Sequence, residues 1–165
     1  MNLPLWIENL LFVTIATAFF AYIGWLWRSA KSFCIPQPLP HWFQIWLAVV
    51  LAVGIVLPLV ALLYWGVWRG DVSVLAVLIS YLTMLGLQIL TESVTLNRFR
   101  SCIWVTIPCV YLPYRIWQLY RGLAIVDNSQ IQLLLSLEIA LWIFNYGVHL
   151  SQLPRLLAWP NQAEE

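Results

Sequence analysis

Glu138 lies near the middle of an apolar run, residues 131–150 (IQLLLSLEIALWIFNYGVHL), long enough to cross a bilayer. At about 100° per residue, Asn145 and His149 fall within a few tens of degrees of it, and Gln152 continues the stripe. An acid, a carboxamide and an imidazole on one helix face could hold or pass a proton, and an imidazole could ligate a metal. An ionisable group at the centre of a lone membrane helix costs roughly 2.5–3.5 kcal/mol on insertion scales. The stripe must therefore face protein or trapped water, so partners are expected elsewhere in the chain.

Arg115 is the first candidate partner. It lies 12 residues before Asp127, and Glu138 lies 11 after it. Asp127-Asn128-Ser129 reads as a turn and helix N-cap. Two antiparallel helices hinged there would bring both charges to the same depth, where they could pair. Gln88 and Glu92, four residues apart near the exit of another apolar run, could face the same stripe or reach the headgroups.

The elements that must position these groups follow from composition. In 165 residues, 62% are hydrophobic and 9% charged, with mean hydropathy +0.84, whereas a soluble domain averages about 25% charged. The expected fold is all-α, a single integral membrane domain over residues 1–165, built as a polytopic helix bundle with five membrane segments. These are residues 10–27, 42–68, 72–91, 102–120 and 131–150. Four are full spans and one is ambiguous, since Pro108 and Pro113 interrupt the segment over 102–126. Either it crosses as a kinked helix with Arg115 inside, or its proline-rich half is re-entrant and its second half lies in the interface, sharing Arg115, Gln118 and Arg121 on one face.

The first segment reads as an uncleaved span rather than a signal peptide, because MNLPLWIEN has no Lys or Arg and no small-x-small site follows. On it, Thr14 with Ala18, and Thr17 with Ala21 and Gly24, offer a small-residue face for close helix contact. The connector over 28–40 carries Pro36, Pro38 and Pro40 and should be extended. A tilt or a kink near Pro58 is expected in the long second segment, Arg69-Gly70-Asp71 should be a tight turn, and the tail after Ser151 should be interfacial or frayed.

With five spans, Arg28, Lys31, Arg98, Arg100 and Arg155 gather on one side against Arg69, Arg115 and Arg121; with four spans only Arg69 and Arg155 would lie outside, which the charge rule prefers, and both arrangements place the N-terminus outside. Of the eleven Trp, all but Trp142 fall near a span end or in an interfacial stretch, as an aromatic belt would have them.

Function classes can be weighed from what is missing as well as what is present. A formal charge of +1 without a basic face argues against nucleic acid. Cys34, Cys102 and Cys109 show no CxxC or Cys/His spacing for a disulfide framework or a zinc site. HExxH, GxSxG, a Gly-rich phosphate loop and paired carboxylates are all absent from the sequence, and nothing in it places Cys109 beside His149. A transporter or proton pathway would use Glu138 and Arg115. A pigment or haem protein would use His41 or His149 as an axial ligand. The favoured expectation is a non-catalytic accessory subunit or assembly factor packing against other integral membrane proteins of a larger complex, with membrane lipid as its other partner. So small a bundle has little interior, and much of its apolar and aromatic surface must meet lipid or protein.

The run LTESVTLNRFRSCIWVTIPCVYLPYRIWQLYRGL, followed by a Leu-rich span and a short acidic tail, resembles small polytopic membrane proteins of cyanobacteria and plastids over roughly residues 90–150. The resemblance carries over no functional residue. It implies a thylakoid location, an accessory or biogenesis role around photosynthetic complexes, and contacts with chlorophyll or carotenoid.

Overall fold

In the computed structural model of the chain, residues 4–33 and 40–158 are described, and they form helices joined by short turns. They are α1 (Leu5–Leu26), α2 (His41–Trp68), α3 (Val72–Asn97), a 3₁₀ turn (Cys102–Val105), α4 (Thr106–Leu123), α5 (Ser129–Leu150) and a short α6 (Leu153–Leu157). Four of them, α1, α2, α3 and α5, are long and apolar enough to cross a membrane. Pro40 has the extended conformation expected of the connector, whereas Cys34, Pro36, Pro38 and the tail beyond Ala158 lie outside the described residues.

Local chemistry sets the boundaries. Gly70 takes φ +70°, which costs glycine nothing, and this lets α2 turn directly into α3. Asp71 then caps α3, its Oδ1 accepting from the Ser73 and Val74 N–H groups at 3.0 and 3.1 Å. Asn128 does the same for α5, accepting from Gln130 and Ile131. Near Pro58 the second helix widens into π-helical turns at Ala52–Val56 and Leu62–Trp68. A proline has no N–H to return to the carbonyl four residues earlier, and a wider turn absorbs that defect.

The segment that was ambiguous from sequence runs as one helix, α4, through Pro113. It lies antiparallel to α1, where Glu8 meets Arg121 and Phe12 stacks on Tyr114. Its most extensive packing is against α5, to which it is also antiparallel. Its outer face is Pro113, Trp117 and Tyr120, all exposed, and its buried face includes Arg115 and Gln118. Arg115 and Gln118 are thus turned inward among the apolar Ile107, Leu112 and Leu119, while the outer face carries no charge. A hydropathy average over both faces therefore understates how well α4 suits an apolar surrounding.

Beneath α4 the core is formed by Val74, Val77, Leu78 and Tyr81 of α3, Leu112 and Leu119 of α4, and Leu135 and Trp142 of α5. Two glycines permit the closest approaches: a Cβ at Gly122 would lie 2.7 Å from Val77 Cγ1, and one at Gly54 would lie 2.7 Å from Trp142 Cζ2. α2 joins the bundle along a seam of small buried residues, Gly54, Pro58, Ala61 and Gly66. In α1 the buried residue is Ala16 alone. Among the described residues the small face of α1 makes no close helix contact at Thr14, Ala18 or Gly24: Thr14 and Ala18 are exposed, and a Cβ at Gly24 would find nothing within 4 Å.

Candidate functional site

The polar side chains of the helices converge in two buried groups. The first is centred on Tyr81 of α3, whose hydroxyl lies 2.6 Å from the Gly54 carbonyl oxygen and 3.0 Å from Glu138 Oε2. The same hydroxyl oxygen accepts the indole N–H of Trp142 at 3.0 Å. Gly54 is the residue whose carbonyl Pro58, four positions on, cannot serve. A phenol has one proton and serves one oxygen at a time. Glu138 can complete the set by carrying a proton of its own and donating it to the phenol oxygen.

Arg115 lies against the same cluster, near the rings of both Trp142 and Tyr81. Its guanidinium carbon sits 4.3 Å from the centre of the indole ring, and its Nη2 donates to Gln88 Oε1 at 2.6 Å. Gln88 in turn donates to Glu92 at 2.6 Å, completing a chain from α4 to the end of α3. The expected Arg115 to Glu138 pair is not formed. Arg115 Nε and Nη1 have no hydrogen-bond partner, and neither does Glu138 Oε1. The two residues do reach the same cluster, but Trp142, one turn beyond Glu138, presents its ring face to the cation and its N–H to Tyr81. A desolvated cation over an indole face gains about 2 kcal/mol, which offsets part of the cost of burying the charge.

The second group ties α1 to α3 and α4. Asn9 donates to Ser80 Oγ at 2.7 Å, and its own oxygen accepts from Tyr114 at 2.8 Å and Gln118 at 3.0 Å. Gln118 also donates to Ser80 at 2.8 Å. One turn outward, Arg121 and Glu8 form an ion pair at 2.8 Å, partly exposed.

The predicted stripe on α5 is divided between neighbours. Glu138 faces α3, while Asn145 is buried and accepts from the Trp46 indole of α2 at 3.2 Å. His149 is half-buried at the end of α5 and His41 is exposed at the start of α2. Gln88 meets Arg115 of α4 rather than the α5 stripe, and Glu92 is bonded to Gln88. Among the described residues no three His, Cys, Asp or Glu side chains are grouped to hold a metal ion.

Sequence reasoning did not single out Tyr81, Ser80, Gly54, Asn9 or Glu8. Two signals pointed to them. Tyr81 is a tyrosine in mid-span, away from either aromatic belt, and Pro58 implies a carbonyl in need of a donor. Asn9 and Glu8 were missed because an apolar window begins at Leu10, after the polar first turns of α1.

No curated protein and no solved structure matches the chain. One family model does, over residues 5–149, from the first turn of α1 almost to the end of α5, so that it takes in both polar groups. The chain belongs to this family, the domain of unknown function DUF7733.

Proposed function

We propose that the chain is a non-catalytic membrane accessory subunit or assembly factor whose helices, α1 to α5, all cross the bilayer and pack against a larger membrane complex. The observation that carries this reading is where the hydrophilic groups go. Glu138, Arg115, Gln88, Gln118, Ser80 and Asn145 are buried and bonded to one another's helices. The apolar and aromatic side chains are left outside instead. On α1, Leu11, Ile15, Phe19, Tyr22 and Leu26 form one exposed ridge. That ridge, on a helix with a single buried residue, offers the contact area a partner helix needs. The uncharged outer face of α4, Pro113, Trp117 and Tyr120, with Arg115 and Gln118 turned inward, supports its inclusion as a fifth span.

The N-terminus then lies outside and the turns carrying Arg28, Lys31, Arg98 and Arg100 lie inside, in keeping with the charge rule. The resemblance to cyanobacterial and plastid proteins extends the proposal to the thylakoid and to a photosynthetic complex, with chlorophyll or carotenoid neighbours. The test is photo-crosslinking in native membranes from a probe at Ile15 or Phe19, followed by mild extraction. A protein adduct that co-migrates with a larger complex is expected. A chain that migrates alone, with lipid adducts only, would refute the reading.

A second reading is favoured by one observation: Glu138 Oε1 and two nitrogens of Arg115 are buried without hydrogen-bond partners. Such groups can take part in a proton or solute pathway. Glu138→Gln should then abolish a flux in proteoliposomes while assembly persists, and an unchanged flux removes this alternative.

A further inference from the structure

The hydroxyl of Tyr81 has one proton to give and two lone pairs to fill. Its oxygen takes the Trp142 N–H at 3.0 Å, and it lies 2.6 Å from the Gly54 carbonyl oxygen and 3.0 Å from Glu138 Oε2. Given to Gly54, the shorter contact, the phenol proton leaves one lone pair toward Glu138. Only a carboxyl with its own proton can fill it. An ionised Glu138 would face that lone pair directly, or draw the phenol proton away and leave a buried carbonyl of α2 without a donor.

The same cluster holds what an ionised Glu138 would use. Arg115 is 1% exposed, with Nη2 on Gln88 but Nε and Nη1 unpartnered, and Glu138 Oε1 is unpartnered as well. The guanidinium carbon lies 5.9 Å from the centre of the Tyr81 ring and 4.3 Å from that of Trp142. Among the described residues, the other titratable groups about the pair are Tyr81 and Glu92 of α3 and Tyr111 of α4. Glu92 is bonded to Gln88, and α2 contributes the Gly54 carbonyl. Trp142 touches every part of this arrangement. Its N–H meets Tyr81, its ring meets the cation, and a Cβ at Gly54 would lie 2.7 Å from its Cζ2.

From this arrangement we infer that Glu138 is a proton-operated switch: with its proton it bonds to Tyr81, without it the carboxylate pairs with Arg115, and Trp142 passes the change to the seam with α2. The two states differ in named contacts, as a switch requires. On ionisation the carboxyl O–H bond breaks, its electron pair stays on the carboxylate, and the proton passes to water as the bundle opens locally. A buried anion then has a buried cation as its partner, which offsets the cost of the new charge. The hydrogen bonds about Tyr81 are those of the protonated state. No proton needs to cross the bilayer, so the inference rests neither on the accessory role nor on a flux.

Infrared spectroscopy and fluorine NMR of the full chain in lipid nanodiscs, over a pH series, test it. The wild type should show a protonated-carboxyl band that is missing from Glu138→Gln and that disappears as pH rises. With fluorotryptophan incorporated, the Trp142 resonance, assigned by its loss from Trp142→Phe, should move between two positions with the same midpoint. Glu138→Gln, whose amide can still donate to Tyr81, should hold the resonance near its low-pH position throughout, and Arg115→Met should remove the high-pH position. Glu92→Gln should leave the transition in place. A resonance that moves in Glu138→Gln as it does in the wild type would overturn the switch, and loss of the transition in Glu92→Gln would assign it to another carboxyl and reject it too. If Glu138→Gln does not assemble, the wild type decides alone: a Trp142 resonance at one position at every pH at which the chain stays folded rejects the inference.

Discussion

The hydroxyl of Tyr81 lies 2.6 Å from the carbonyl oxygen of Gly54, the one carbonyl in α2 that Pro58 cannot serve. A defect written into one helix is thus answered by a side chain of the next, and the same hydroxyl also meets Glu138 and Trp142. Replacing Tyr81 with Phe should cost about 1–3 kcal/mol, because buried groups on α2 and α5 lose a partner together. Pro58→Ala restores an amide donor for Gly54, so the cost of Tyr81→Phe should shrink in that background. Reversible unfolding of the four proteins in mixed micelles gives the coupling, and strict additivity would contradict the assignment.

The glycines divide into two sets by what surrounds them. Alanine at Gly122 or Gly54 must push Val77 or the Trp142 ring aside, at about 1–3 kcal/mol for an overpacked contact. Alanine at Gly86 or Gly147 meets nothing within 4 Å and should be neutral or slightly stabilising, both positions being helical. Thermal melts of the four single variants decide it. Val77→Ala should rescue Gly122→Ala, since the atom in the way is Val77 Cγ1.

Gln88 supplies the one side-chain hydrogen bond that buried Arg115 makes. Gln88→Leu should therefore cost about 1.5–3 kcal/mol, the range for a hydrogen bond to a charged group. In an Arg115→Met background the cost should fall below about 1 kcal/mol, because the charge that needed the bond is gone. Equal losses in both backgrounds would show that Gln88 acts by packing alone.

Much of this design could be read from the sequence, and the remainder could not for stated reasons. A bare acid in mid-span demands a partner, so the involvement of Glu138 was legible, as was the isolation of Trp142 from the aromatic belts. The identity of the partner was not. A depth argument aligned Arg115 with Glu138, but depth alone does not say which side chains meet, and Arg115 meets the Trp142 ring and Gln88 while Glu138 meets Tyr81. The helix turns at Asp71 and Asn128 were legible because caps act locally. Asn9, Ser80 and Gln118 belong to three helices, and such a network becomes visible only once the helices are packed. Likewise α4 was ambiguous because two prolines break its apolar half and Arg115, Gln118 and Arg121 share a face of the other, and which of these is buried is decided only by packing.

Outside the membrane, Asp71 provides a pH signature. Hydrogen bonds from the Ser73 hydroxyl and the Val74 amide hold its carboxyl below the usual 3.8. With the folded value lowered, its stabilisation is present above pH 3.8 and is lost as pH falls through the lower folded value. Asp71→Ala should cost about 1 kcal/mol at pH 7, the usual loss of an N-cap, and less in strong acid. A penalty that does not diminish on acidification would show that the carboxylate is not the group that matters.

The measurement that bears most directly on the five-helix arrangement is the sidedness of the turn between α4 and α5. Single cysteines at Asp127 and Ser151, in a chain whose native cysteines are alanine, can be labelled with a membrane-impermeant thiol reagent from either face. If α4 crosses with Arg115 in its buried face, position 127 labels from the side of an N-terminal tag and position 151 from the opposite side. Labelling of 127 from the side opposite the tag, with 151 on the tag side, would show that α4 does not cross and would contradict the arrangement.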